Sequence, residues 1–341
     1  MNTIINHLAF NQHASHLSCA TNNGFVIYSI NPSLQKKIVM DKNGGVGIMN
    51  ILKKTNIYVL SGSNLIGDSF NYNGTTTSKN VLIVWDHKDN KGLIRIDFSE
   101  PIKNLLIHHK DKIVVCVKDK IHIFASFTGK LLAERETFNN PNGIACISNT
   151  DDLKIVTLGN RKGEIIIWNF DNNESEKVIQ AHDNNIECLA INKNGNLVAT
   201  SSELGTLIRI FDINIGNKLF EFRRGTQPSK ISSLAFSYDD KYLACCSTRN
   251  GTVHLFDMSD TERNTHSKLV GLKDYLPGWV GSCWSFKQHY LGTFSKCVCD
   301  FDDKGILHVA SYDGNYYKVS GVNYDNISMS GLYVDTKKIE N

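Results

Sequence analysis

Phe222-Arg223-Arg224-Gly225 places two cationic side chains between an aromatic ring and a glycine, at the close of the segment Lys218 to Gly225. Arginine presents a planar fork of N–H donors that matches phosphate oxygens two at a time, and a phosphate monoester carries about −1.5 to −2 charges near neutral pH. In an extended strand successive side chains leave on opposite faces, so Arg223 and Arg224 cannot serve one pocket. The motif therefore proposes two anion sites. Adjacent arginines are most often solvated surface, so the elements that position them decide what they do.

The chain has 341 residues, 41% hydrophobic and 21% charged, enough for a well-buried core and unlike a disordered chain. A formal net charge of +3 is too small for wholesale nucleic-acid binding, so any anion recognition is local. Met1 to Phe10 lacks the basic region and apolar run of a secretory signal, and the nine cysteines are expected to be reduced. Cys245-Cys246 and Cys297-Val298-Cys299 lack the paired spacing of zinc ribbons, so neither a metal site nor a cofactor is implied. No run of about 18 apolar residues is present to span a membrane as a helix.

Short apolar or alternating runs recur between turn residues: Ile4 to Phe10, His16 to Ala20, Gly24 to Ile30 and Leu34 to Met40 read as four strands. An aromatic near the end of each third strand serves as a ruler: Tyr28, Trp85, Phe124, Trp168, Phe211 and Phe256, with Val319 in the last equivalent place. Four of the six intervals lie between 39 and 45 residues, the spacing of WD-type propeller blades. The pattern predicts an all-β fold, a single seven-bladed β-propeller of four-stranded antiparallel blades over residues 1–341. The two longer intervals locate insertions at about 64–80 in blade 2 and 259–282 in blade 6. Blade 1 starts with an inner-type strand, and Asn326 to Thr336 can supply the outer strand of blade 7, so no closing strand is shared between the ends.

Paired aspartates at 151–152, 239–240 and 302–303 could suggest acid–base work. Their recurrence before a strand in several blades is instead what a turn residue does, since Asp accepts local backbone hydrogen bonds. No phosphate-binding glycine loop, nucleophile elbow or zinc-protease helix accompanies them, so no catalytic residue is named and no enzyme is expected.

Phe222 to Gly225 at the end of the fifth blade, with Ser201 to Asp212 before it and Ile231 to Phe236 and Gly251 to Asp257 after it, resembles the PROPPIN family of phosphoinositide-binding propellers. The resemblance covers nearly the whole chain. It implies binding of phosphatidylinositol 3-phosphate and phosphatidylinositol 3,5-bisphosphate at two rim sites. By resemblance, Arg223 serves a site between blades 4 and 5 with His182, Ser202, Thr206 and Arg209. Arg224 serves a site between blades 5 and 6 with Ser247, Thr248, Thr252 and His254. Hydroxyls and imidazoles donate to phosphate and inositol oxygens without adding charge. Each has a plainer competitor: β-branched Thr206 and Thr252 suit strand starts, His182 suits a structural loop position, and Arg209 suits a solvated face. Phe222 is expected to pack, and Gly225 to let the backbone turn after the arginines.

The blade 6 insertion carries Leu269, Leu272, Tyr275, Leu276, Trp279 and Val280, an apolar and aromatic set in what should be an exposed loop. Such residues suit a membrane interface, and the resemblance implies a bilayer anchor there. The expected function is that of a non-enzymatic phosphoinositide effector. It would be a monomer in solution and cytoplasmic, held peripherally at autophagic, endosomal or vacuolar membranes. There it recruits lipid-transfer or conjugation-machinery proteins of autophagy. The alternative is a soluble WD-repeat interaction scaffold whose arginines pair with neighbouring acids.

Overall fold

Runs of β-branched, aliphatic and aromatic residues form strands here, and Asn, Asp, Gly and Ser turn the chain between them. The computed structural model describes residues 3–41, 44–63, 70–72, 75–172, 176–249, 251–266 and 282–332. Each run pairs antiparallel with the next, so four consecutive strands make a sheet, and seven such sheets make a seven-bladed β-propeller. Among the described residues no strand is lent between the first blade and the last: blade 1 pairs Ile5–Phe10, His16–Thr21, Gly24–Ser29 and Gln35–Asp41 in order, and blade 7 pairs Cys297–Phe301, Leu307–Ser311, Asn315–Ser320 and Asn326–Gly331. The last of these is shorter than Asn326 to Thr336, whose final residues lie outside the described ones.

The chain divides into two compact units. The first comprises residues 1–143, 310–316 and 329–341 and carries blades 1 to 3. The second comprises 144–309 and 317–328 and carries blades 4 to 6 and much of blade 7. In both, the core sits between successive sheets. In the first unit, Phe25, Tyr58, Leu60 and Trp85 join blade 1 to blade 2. In the second, Ile208, Ile210, Phe222, Leu243 and Phe256 join blade 5 to blade 6.

The aromatic ruler has a structural cause. Each landmark, from Tyr28 to Val319, is the fifth residue of its blade's third strand. With a period of two, that position shares a face with the first and third residues, and in blades 2, 3, 5, 6 and 7 it packs on the preceding sheet. The aspartate pairs occupy the turns between first and second strands. Asp302 Oδ1, for example, accepts from the backbone N–H groups of Lys304 and Ile306.

The blade 2 insertion, expected as a loop, contains a small hairpin of Phe70–Tyr72 with Thr75–Thr77; residues 64–69 and 73–74 lie outside the described ones. Blade 5 departs from the four-stranded plan. The two flanks of the blade 6 insertion, Thr265–His266 and Cys283–Trp284, pair with each other, and Cys283–Trp284 runs parallel to Phe222–Arg223 on the outer edge of blade 5. That sheet therefore has six strands. Residues two long carry no detectable period, and their partner strand lies about sixty residues earlier.

Candidate anion site at the arginine pair

Blade 5 ends in the strand Lys218–Arg223, laid antiparallel on Leu207–Asp212. Ile208 faces Phe222 and Ile210 faces Phe220, giving one apolar face, while Arg209 faces Glu221 and Leu207 faces Arg223 on the other. Phe222 is fully buried and stacks on Phe256 of blade 6 at 4.9 Å between ring centres. Arg224 follows on the Phe222 side, tied to blade 5 by its N–H donating to the Thr206 carbonyl. Strand alternation thus sends the two arginines apart, as the sequence requires.

Arg224 is 8% exposed. Its Nε donates to the Gly205 carbonyl at 2.9 Å and its Nη2 to the Gln227 carbonyl at 2.5 Å. Two of five N–H donors are thereby used, and among the described residues no carboxylate pairs with it. Burial, with Arg249 as a neighbouring like charge, holds its guanidinium below the usual arginine range despite an opposing contribution from Cys245. His254 shares this environment. Its Nδ1 lies 3.2 Å from Ser285 Oγ, and burial followed by the charge of Arg224 lowers its pKa to about 3, so the imidazole is neutral at physiological pH.

The remaining members of this second set gather on the same turn. Ser247 Oγ lies 2.8 Å from Ser229 Oγ, Thr252 pairs across from Ser247, and Thr248 donates from its N–H to the Lys230 carbonyl at 3.0 Å and from its Oγ1 at 3.3 Å. Gly205 makes the close approach possible. At φ +58° a Cβ there would sit 1.9 Å from the Ser229 carbonyl oxygen, so only glycine fits. Gly225 is different: its φ is not left-handed and a Cβ would meet no described residue within 4 Å. The turn after the arginines does not need a glycine, contrary to the sequence expectation, and among the described residues the space beside it is open.

The first set lies along the junction of blades 4 and 5. Arg223 is half-buried; its Nε donates to Ser282 Oγ at 2.8 Å and its guanidinium lies 6.0 Å from the Trp284 ring centre. Burial lowers its pKa and nearby Glu221 opposes the shift. Arg209 bridges the two blades: Nε donates to Glu221 at 2.8 Å and Nη1 to the Ala181 carbonyl of blade 4 at 2.7 Å. His182 is 5% exposed, with Nε2 3.0 Å from Thr200 Oγ1. That hydroxyl donates to the Arg209 carbonyl, so Nε2 is the donor. Burial and the charge of Arg209 lower the His182 pKa to about 4. Arg209 and His182 therefore act as a tether between blades 4 and 5, while Ser202 and Thr206 flank the turn before the strand Leu207–Asp212.

Sequence reasoning missed Ser282, Ser285, Ser229 and Arg249, each bonded to or beside a residue of the motif or its partners. The predicted anchor residues Leu269, Leu272, Tyr275, Leu276, Trp279 and Val280 lie outside the described residues. On the described part of blade 6, Tyr290 and Phe294 are exposed by 65% and 72%. Tyr290 pairs with Thr252 as Arg223 pairs with Leu207, each opposite the first residue of its third strand. In the first unit, a cleft of about 620 Å³ is lined by Asp97, Glu100, Asp119, Glu134 and Glu136. Its acidic rim has the wrong sign for a phosphate. Among the described residues no helix is long and apolar enough to cross a membrane.

Comparison with known proteins agrees with this architecture. The sequence is 32% identical over 313 residues to SVP1-like protein 2 of Pichia angusta, covering 88% of this chain and 83% of that one. It is 33% identical over 261 residues to autophagy-related protein 18 of Dictyostelium discoideum, covering 76% and 67%. The fold matches that of Kluyveromyces lactis Hsv2 with a TM-score of 0.75 at 22% identity, covering 97% of this chain and 98% of that one. A structure described as the complex of KlAtg21 with the coiled coil of AgAtg16 matches at 0.75, with 22% identity and 96% and 98% coverage. The sequence model of the PROPPIN family spans residues 4–303. With that match and these relatives, the chain belongs to the PROPPIN family of β-propellers.

Proposed function

We propose that this chain is a non-enzymatic phosphoinositide effector that binds phosphatidylinositol 3-phosphate and phosphatidylinositol 3,5-bisphosphate and brings autophagy or vesicle-trafficking machinery to membranes carrying them. One observation carries the reading: Arg224 is a buried cation that, among the described residues, has no carboxylate partner and leaves three N–H donors unused. A buried charge without a counter-ion costs several kcal/mol, so the arrangement favours a state in which an anion is supplied from outside. Neutral His254 and the hydroxyls of Ser247, Thr248 and Thr252 suit a phosphorylated ring better than bare phosphate, because they can contact ring hydroxyls.

Membership of the family supports the same assignment, as do relatives named for autophagy and a structural match bound to a coiled coil. Protein partners of that kind, a peripheral position on autophagic, endosomal or vacuolar membranes, and the pairing of His182, Ser202, Thr206 and Arg209 with Arg223 belong to the proposal. Two headgroup sites plus apolar contact on one edge engage the same bilayer, so each later contact is effectively intramolecular and avidity exceeds any single affinity.

The test is vesicle flotation with and without the two lipids, using wild type, Arg223→Ala, Arg224→Ala and the double variant. Each single variant should lose part of the binding and the double variant nearly all. Equal flotation of wild type and double variant would leave a soluble interaction scaffold as the better account.

A further inference from the structure

Two guanidiniums bind successive carbonyls of one loop. Arg224 donates to the Gln227 carbonyl at 2.5 Å, and Arg249 donates from Nη1 to the next carbonyl, that of Pro228, at 3.3 Å. The backbone of Arg249 is fixed beside them, its N–H donating to Ser229 Oγ at 3.0 Å, and that hydroxyl is bonded to Ser247. The position arises from a difference between blades: Ser202 to Thr206 closes the turn in blade 5, whereas Ser247 to Thr252 in blade 6 is one residue longer and carries Arg249. Arg249 is exposed, and among the described residues it too pairs with no carboxylate.

Like charges held together repel most strongly where one of them is buried. The lysine on the same loop does not add to them, because Lys230 pairs with Glu187 at 3.1 Å. What relieves two neighbouring guanidiniums is a ligand with two anionic groups, each able to take one fork. The Arg223 side has another character. One guanidinium is present, its Nε is engaged by Ser282, and the Glu221 carboxylate lies within its field.

We propose that Arg249 is a second phosphate-binding residue of the Arg224 pocket and makes that pocket select an inositol ring phosphorylated at both the 3- and the 5-position. The proposal rests on the phosphoinositide reading above and assigns the two lipids unequally between the two sites: the bisphosphate to Arg224 with Arg249, the monophosphate to Arg223.

The experiment is titration calorimetry on an Arg223→Ala background, which isolates the second pocket, with inositol 1,3-bisphosphate, inositol 1,3,5-trisphosphate and inorganic phosphate as probes. The first two are the soluble headgroups of the mono- and bisphosphorylated lipids. Adding Arg249→Ala should weaken the trisphosphate about tenfold and the bisphosphate by less than about threefold, and Arg249→Lys should restore part of the difference. Thermal melting of each variant monitors folding, and the lysine variant keeps the charge if alanine perturbs the turn. Equal losses for both headgroups, or none, overturn the selectivity. Inorganic phosphate binding as tightly as the headgroups makes this a free-phosphate site and overturns it as well. Failure of wild type to bind either headgroup sinks the wider reading, a result distinct from wild-type binding that is indifferent to Arg249.

Discussion

Arg223 donates a 2.8 Å hydrogen bond to Ser282, a residue on the far flank of the blade 6 insertion. The bond takes Nε and leaves the Nη pair, the end-on edge with which arginine can still grip an oxyanion bidentately. Ser282 is therefore expected to orient Arg223 for its ligand. Ser282→Ala should lower headgroup affinity at this site by about threefold, in keeping with loss of one partly exposed hydrogen bond to a charged group, with little change in melting temperature. Calorimetry on an Arg224→Ala background reads it; unchanged or tighter binding would show that the serine does not position the arginine.

Gly205 and Gly225 should respond oppositely to substitution. Gly205→Ala drives a Cβ into the Ser229 carbonyl at a left-handed φ, and is expected to cost about 1–3 kcal/mol or more in denaturant unfolding. Gly225→Val meets no described residue and should change stability by less than about 0.5 kcal/mol, yet weaken headgroup binding by filling the space beside the arginines. A strongly destabilised Gly225→Val protein would contradict this.

His254 and His182 have pKa values of about 3 and about 4 against an ordinary 6.5. A base with a depressed folded-state value contributes stability that is complete above the unfolded value and declines as pH falls, because the unfolded chain takes up a proton that the folded chain refuses. Between about pH 6.5 and pH 4 each should remove up to about 1.4 kcal/mol per pH unit. Urea unfolding at several pH values should show a shallower acid decline for His254→Gln than for wild type. Parallel slopes would mean that His254 does protonate in the folded state. Phosphoinositide binding should raise the His254 pKa, a shift that NMR titration of the imidazole detects.

Tyr290 and Phe294 expose large aromatic surface on the blade that shares the Arg224 pocket. If that edge meets a bilayer, Tyr290→Ser with Phe294→Ser should reduce flotation with lipid-bearing vesicles severalfold while calorimetric binding of the soluble headgroups stays within about twofold. Loss of both together would place these residues in the pocket rather than at the membrane.

The fold was largely legible because one position in each blade, the fifth residue of the third strand, must fill the same inter-sheet space and so reads as a ruler of aromatics. The arginine pair was legible for a related reason, since a period of two separates neighbours whatever the tertiary setting. Other pairings were hidden. Counting from the Asp212–Lys218 turn would set Arg209 opposite Phe220, but a register shift between Ile210 and Phe211 moves it opposite Glu221, where it forms an ion pair. Ser282 and Ser285 gave no local signal because their partners, Arg223 and His254, lie on strands much earlier in the chain. Arg249 did leave a trace, the extra residue between Ser247 and Thr252, which a residue-by-residue comparison of blades 5 and 6 exposes.

The strand Cys283–Trp284 lies on the outer edge of blade 5, where the other four-stranded sheets have no further strand among the described residues. An open edge is a template for strand addition by another polypeptide, whether a partner segment or an aggregating copy. Along Phe222–Arg223 that template is already filled by the chain's own backbone. A protein that docks by adding a strand therefore cannot do so along Phe222–Arg223, the part of the edge that carries the first arginine.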